Sequence, residues 1–152
     1  MTPAVEAARR AGIRFTLHEY EGVELGEGDY ALGVATALGR PPGQLFKTLV
    51  ANADGQLSVF IVPADRQLDL RAAGKRVSLA GKAEAERATG YVVGGISPLG
   101  QRKKLPTTID ASALEWETVI VSAGKRGLQI ELAPSDLVRL TGARVATVSR
   151  AG

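Results

Sequence analysis

The segment from Leu45 to Val62, LFKTLVANADGQLSVFIV, constrains the fold more than any other part of the chain. Two apolar and β-branched runs, Leu45 to Ala51 and Leu57 to Val62, flank Asn52-Ala53-Asp54-Gly55, whose residue types suit a reversal, so the segment predicts a β-hairpin. In the first run Lys47 shares a face with Leu45 and Leu49, while Phe46, Thr48 and Val50 occupy the other. Such a strand reads as buried on both sides. An ammonium there is unfavourable unless it is paired or opens on a pocket, which makes Lys47 the strongest single candidate for function. The plainer alternative is a lysine at the sheet edge with its head in water.

Around this hairpin the local signals are short. Thr2-Pro3 opens a helix that Gly12 closes, with Val5, Ala8 and Ala11 as its stripe. Ile13 to Tyr20 alternates, with Ile13, Phe15 and Leu17 on one face and Arg14, Thr16, His18 and Tyr20 on a polar face that reads as ordinary surface. Glu21 to Gly28 reads as a loop, and Tyr30 to Leu38 as a helix ended by Gly39 and Pro41-Pro42. Further elements are a short helix capped by Asp69, a short strand Val77 to Leu79 and a weak helix over Gly81 to Ala88. Then come strands at Thr107 to Asp110 and Thr118 to Ser122, a hairpin over Val119 to Leu132, a helix from Pro134 to Gly142, and a final strand within Ala143 to Ser149. Trp116 reads as packing.

Composition removes whole classes of chemistry. With no cysteine there is no disulfide, thiolate nucleophile or Cys-ligated zinc, and a single His18 excludes multi-His metal sites and disfavours a His-centred triad. Any catalysis therefore falls to Lys, Ser, Thr, Tyr, carboxylates, backbone amides or the substrate itself. A net charge of +3 permits an anionic partner without demanding one. No apolar run reaches membrane-spanning length, which makes the cytoplasm the expected location.

A second informative stretch runs from Gly90 to Asp110. Tyr91, Val92 and Val93 read as a strand entering Gly94-Gly95, where the backbone can bend and expose N–H groups; Ser97-Pro98-Leu99-Gly100 reads as a β-turn; Arg102, Lys103 and Lys104 follow. This combination suits a phosphate or carboxylate-like oxygen, and equally a solvated hairpin end with a charged edge. AGKRG, at 123–127, lacks the spacing of a phosphate-binding P-loop.

Taken in order, TPA near the start, FTLHEY, LFKTL, GYVVGGISPLGQRKKLPT and VSAGKRGLQIEL resemble the YbaK-type Cys-tRNA(Pro) deacylases, relatives of the editing domain inserted in bacterial prolyl-tRNA synthetases. The resemblance covers essentially the whole chain. It implies an α+β fold, a single compact domain over residues 1–152 with a curved mixed β-sheet flanked by short helices. It also implies deacylation of mischarged Cys-tRNA(Pro) in trans, with the acceptor end of tRNA(Pro) as partner, prolyl-tRNA synthetase as a further one, and neither cofactor nor metal. Lys47, Gly94 and Gly95 are assigned to catalysis, Lys47 on the terminal adenosine or its phosphate and the glycine backbone beside the ester carbonyl. Tyr20, Ser122, Ser97 and Gly100 are assigned to substrate binding. The implied chemistry is attack by the cysteinyl thiol on its own ester, releasing a cyclic thiolactone. Gln129 departs from a frequent acidic residue, Gly22 from a frequent His, and Ala31 and Gly33 from a frequent Gly and Glu, which puts substrate size preference in play. The alternatives are a deacylase for Ala- or another small-residue tRNA, and a non-catalytic tRNA- or synthetase-binding adaptor.

Overall fold

The computed structural model describes residues 1–23 and 29–152. In chain order these form α1 (Pro3–Ala11), β1 (Phe15–Glu19), α2 (Tyr30–Leu38), β2 (Phe46–Ala53), β3 (Gln56–Pro63), β4 (Arg66–Leu68), α3 (Leu70–Ala73), β5 (Val77–Leu79) and α4 (Lys82–Thr89). β6 (Thr107–Asp110), a 3-10 turn over Ala111–Glu115, β7 (Val119–Lys125), β8 (Leu128–Leu132), α5 (Pro134–Thr141), β9 (Arg144–Ala146) and β10 (Ser149–Ala151) follow. The architecture is mixed α+β, as the resemblance implies. Most of the predicted loop at Glu21 to Gly28 lies outside the described residues.

The Leu45–Val62 hairpin is the centre of a five-stranded mixed sheet ordered β5-β2-β3-β6-β9, in which β6 and β9 run parallel to their neighbours. Its reversal is tighter than the four residues first suggested. Asp54 and Gly55 alone make the turn, both at positive φ, and the Asp54 carboxylate accepts the N–H groups of Arg76 and Lys75, which hold it below the usual carboxylate range. A second, antiparallel sheet is ordered β1-β8-β7, and it joins the first at one parallel bridge, Leu45 to Ile120. The main core lies on the face carrying Phe46, Val121 and Ile130, closed by α1 and α5; α2 covers the opposite face through Val34 and Ala35 against Tyr20, Leu45 and Ile120.

Three local expectations change. Tyr91 to Val93 is no strand; Tyr91 is instead a buried anchor whose hydroxyl donates to Leu99 O at 2.6 Å, and burial pushes that hydroxyl up to about 12. The final strand is divided between β9 and β10, in different sheets, because the buried Asp110 carboxylate takes the N–H groups of Val148 and Ser149 and so pins the chain between them. On β1 the expected inside and outside partly exchange: Leu17 is 38% exposed and Tyr20 only 9%, since α2 covers the face that alternation leaves polar.

Candidate functional site

Between the Leu45–Ile120 bridge and the β2–β5 ladder, which begins at Ala51, the outer edge of β2 meets no strand among the described residues. Ala64 N–H donates to Leu45 O, which sets the alternation: Leu45, Lys47 and Leu49 exchange main-chain bonds with β3, and Phe46, Thr48 and Val50 turn theirs the other way. Val50 O is taken by Ala80 N–H at 2.9 Å, whereas the N–H and C=O of Thr48 have no partner among the described residues. Along this open edge lies a cavity of about 360 Å³. Its remaining walls come from the start of α2, from Leu79 and Ala80 at the end of β5, from Lys82 and Ala85 on α4, from Val93, Gly94 and Ile96, from Ser122 on β7 and from Gln129 on β8.

Lys47, Gly94 and Ser122, far apart in the chain, therefore share one cavity. Lys47 is half-buried and in no ion pair among the described residues, so its unfavourable burial is relieved by opening on the cavity, one of the two conditions set by its position. Gly94 is the third residue of a turn that Gly95 N–H closes on Val92 O at 2.8 Å, and its φ of 91° is one that favours glycine. This turn is pinned from outside by Val93 N–H donating to Glu86 and by Arg126 donating to Val93 O at 3.1 Å. Gly94 N–H has no partner among the described residues, whereas Gly95 N–H is engaged inside the turn and is not a free donor. Gly95 is required for a different reason: a Cβ there would sit 2.7 Å from Lys125 Cα.

Ser122 accepts the Gly124 N–H at 3.2 Å across the bulge in β7, and no carboxylate or imidazole hydrogen-bonds it among the described residues. Gln129, opposite it, is 4% exposed, and its Oε1 is buried without a partner, as is Thr48 Oγ1. Tyr20 does not line the cavity. Its hydroxyl instead meets that of Tyr30, which does, at 2.5 Å. Ser97 and Gly100 also stand outside the walls. Ser97 is fully buried with its hydroxyl accepting Leu99 N–H, and a Cβ on Gly100 would lie 2.6 Å from Pro3 O, so both pack the loop. The exposed Arg102, Lys103 and Lys104 are likewise absent from the cavity.

His18, the one imidazole, is committed elsewhere. Its Nε2 lies 2.7 Å from Glu131, which also receives two bonds from Arg40 at 3.0 Å and one from Thr118. Burial would raise the Glu131 carboxyl, but the bonds from Thr118, Arg40 and His18 outweigh it and bring the group down to about 2. Among the described residues no three His, Cys, Asp or Glu side chains are grouped to hold a metal ion, and no helix is long and apolar enough to cross a membrane. The cavity can thus position and polarise a bound group, and among the described residues no side-chain nucleophile is placed beside a base.

The model of the aminoacyl-tRNA editing domain matches residues 30–140, which takes in Lys47, Gly94, Ser122 and Gln129. The chain belongs to this family. The editing domain is 40% identical over 126 residues, 78% of this chain and 76% of the relative, to an Enterococcus faecalis protein provisionally named a Cys-tRNA(Pro)/Cys-tRNA(Cys) deacylase, EbsC. It is 32% identical over 111 residues, 69% of this chain and 66% of the relative, to the Escherichia coli multifunctional Ser/Thr-tRNA deacylase ProXp-y. A crystal structure provisionally described as a trans-editing enzyme for prolyl tRNA synthetase superposes with a TM-score of 0.80 at 25% identity, covering 99% of both chains. Sequence reasoning missed Tyr30 and the open edge at Thr48. Tyr30 reads locally as a helix residue, and an unpaired edge leaves no mark in a strand's own pattern.

Proposed function

We propose that this chain, acting as one unit over residues 1–152, is an aminoacyl-tRNA deacylase that clears Cys-tRNA(Pro) in trans. The observation that carries the reading is the cavity's composition among the described residues: Lys47 and Lys82, a backbone N–H at Gly94 without a partner, and hydroxyls, but no nucleophile with its own base. Such a site suits a substrate that brings the nucleophile. The cysteinyl sulfur attacks the ester carbonyl carbon, the bond from that carbon to the ribose oxygen breaks, the thiol proton ends on that oxygen, and the acyl group leaves as a thiolactone. Lys47 holds the terminal adenosine or its phosphate, and Gly94 N–H faces the developing oxyanion, so positioning and electrostatics lower the barrier. Similarity to EbsC supports the acyl group, and the trans-editing structure supports a synthetase partner that would supply tRNA selectivity.

The relation to ProXp-y favours a second reading, in which the acyl group is another small residue and water is the nucleophile. Incubation with Cys-, Ser- and Ala-tRNA(Pro), with mass analysis of the released amino acid, separates the two. Loss of Cys-tRNA with thiolactone as product is expected. Clearance of Ser- or Ala-tRNA with Cys-tRNA intact would replace the first reading by the second.

A further inference from the structure

Tyr20 and Tyr30 form a pair of hydroxyls 2.5 Å apart, with rings in an edge-to-face arrangement at 6.4 Å, and only Tyr30 reaches the cavity. Tyr20 is almost wholly buried beneath α2, and its hydroxyl has no other partner among the described residues. One proton serves the contact between the two oxygens. If Tyr20 donates it, the Tyr30 proton is left to point elsewhere, and the side chain's open direction is the cavity.

Tyr30 and Gly94 line the same cavity. Tyr20 N–H donates to Gly127 O at 3.1 Å, next to Arg126, and Arg126 in turn donates to Val93 O inside that turn. Building on the deacylase reading, we infer that Tyr30 is a catalytic residue that donates a hydrogen bond to the acyl carbonyl oxygen alongside Gly94 N–H, and that Tyr20 is a positioning residue acting only through Tyr30. Two donors converging on one oxygen make a more effective oxyanion site than a single amide. Burial and then the contact with Tyr20 raise the Tyr30 hydroxyl above the ordinary phenol range, with Arg126 opposing them, so it serves as a donor and stays protonated at neutral pH.

The test is a kinetic cycle of Tyr30→Phe, Tyr20→Phe and the double variant, on whichever of Cys-, Ser- or Ala-tRNA(Pro) the parental protein clears, with thermal unfolding of each. Tyr30→Phe is expected to lower kcat by on the order of 100-fold with KM little changed, the scale of losing one oxyanion donor. Tyr20→Phe should lower it by about tenfold, and the double variant should be no slower than Tyr30→Phe alone, since a residue acting through another adds nothing once that residue is gone. Tyr30→Phe at the parental kcat overturns the inference, as does a Tyr20→Phe effect that is undiminished in the Tyr30→Phe background. A drop that tracks loss of folded protein also overturns it. A parental protein that clears none of the three substrates overturns the deacylase reading and this inference together; parental activity with an unaffected Tyr30→Phe overturns only the inference.

Discussion

Gln129 and Glu131 stand two residues apart on the same face of β8, and their polar atoms are treated in opposite ways. Glu131 is enclosed by His18, Arg40 and Thr118, so that both its oxygens are bonded and its charge is held by groups from β1, from the loop after α2 and from the approach to β7. Gln129 faces the cavity with a buried carbonyl oxygen that no group among the described residues bonds. A satisfied polar cluster fixes elements in place, and an unsatisfied one adjoining a cavity is left for something that arrives later. The more conspicuous cluster, with the only histidine and the lowered carboxylate, is therefore scaffold. The cavity, lined by Lys47, Lys82, a glycine turn and an amide, is where the deacylase reading puts the chemistry.

This contrast can be broken experimentally, and the largest effect is expected at the cavity. Lys47→Ala should cut deacylation of the parental substrate by about 100-fold, which is about 2.7 kcal/mol of barrier at 1.36 kcal/mol per factor of ten, while leaving the thermal midpoint near the parental value. Single-turnover rates with a parallel melt check this; a folded Lys47→Ala protein at the parental rate would remove Lys47 from the site. On the scaffold side Glu131→Gln should do the reverse. It leaves Arg40 and His18 without their anion and costs roughly 2 kcal/mol of stability by urea titration, after allowance for a partly open position, with per-molecule activity little changed.

Acid provides the same comparison without mutation. The Glu131 carboxyl is lower in the folded protein than the ordinary value of 4.5, so its stabilisation is fully present above about pH 4.5 and is lost as pH falls toward about 2. The Glu131→Gln protein should lack that limb of the stability curve, and an unchanged acid limb would assign it to other carboxylates. The smallest effect belongs to Gln129→Leu. Removing an amide whose buried oxygen has no partner among the described residues should shift stability by no more than about 1 kcal/mol in either direction, because no hydrogen bond to that oxygen is lost with it. A loss comparable to that of Glu131→Gln would show that Gln129 is scaffold too.

What the sequence disclosed follows from the range of the interactions involved. α1 and α5 were legible because Thr2-Pro3 with Gly12, and Pro134 with Gly142, are stop and start signals that act within one turn of helix. The two hairpins were legible because alternation and turn chemistry are equally local. Lys47 stood out for the same reason, a charge set in an apolar strand. Tyr20 was misread as surface because its burial depends on α2, an element whose packing its own alternation does not contain. Tyr91 mimicked a strand residue, yet its place is set by Leu99 O and by Gly124, whose hypothetical Cβ would come within 2.8 Å of the tyrosine ring. Ser97 and Gly100 were drawn into the site by their nearness in sequence to Gly94-Gly95. The chain turns away between them, and they pack inward against the start of α1 and their own loop.

The two sheets that line the cavity share a main core but are hydrogen-bonded to each other at one bridge, Leu45 to Ile120, beyond which β2 and β7 have no ladder between them among the described residues. Both bridge residues are buried in one apolar cluster with Val34 and Ala35 of α2, so the joint between the sheets is apolar. Descendants of one such ancestor could come to accept a larger or smaller acyl group through substitutions at that joint, while the lysine and the glycine turn stayed as they were. On the deacylase reading, size preference and chemistry would be carried by different residues, each open to change without the other.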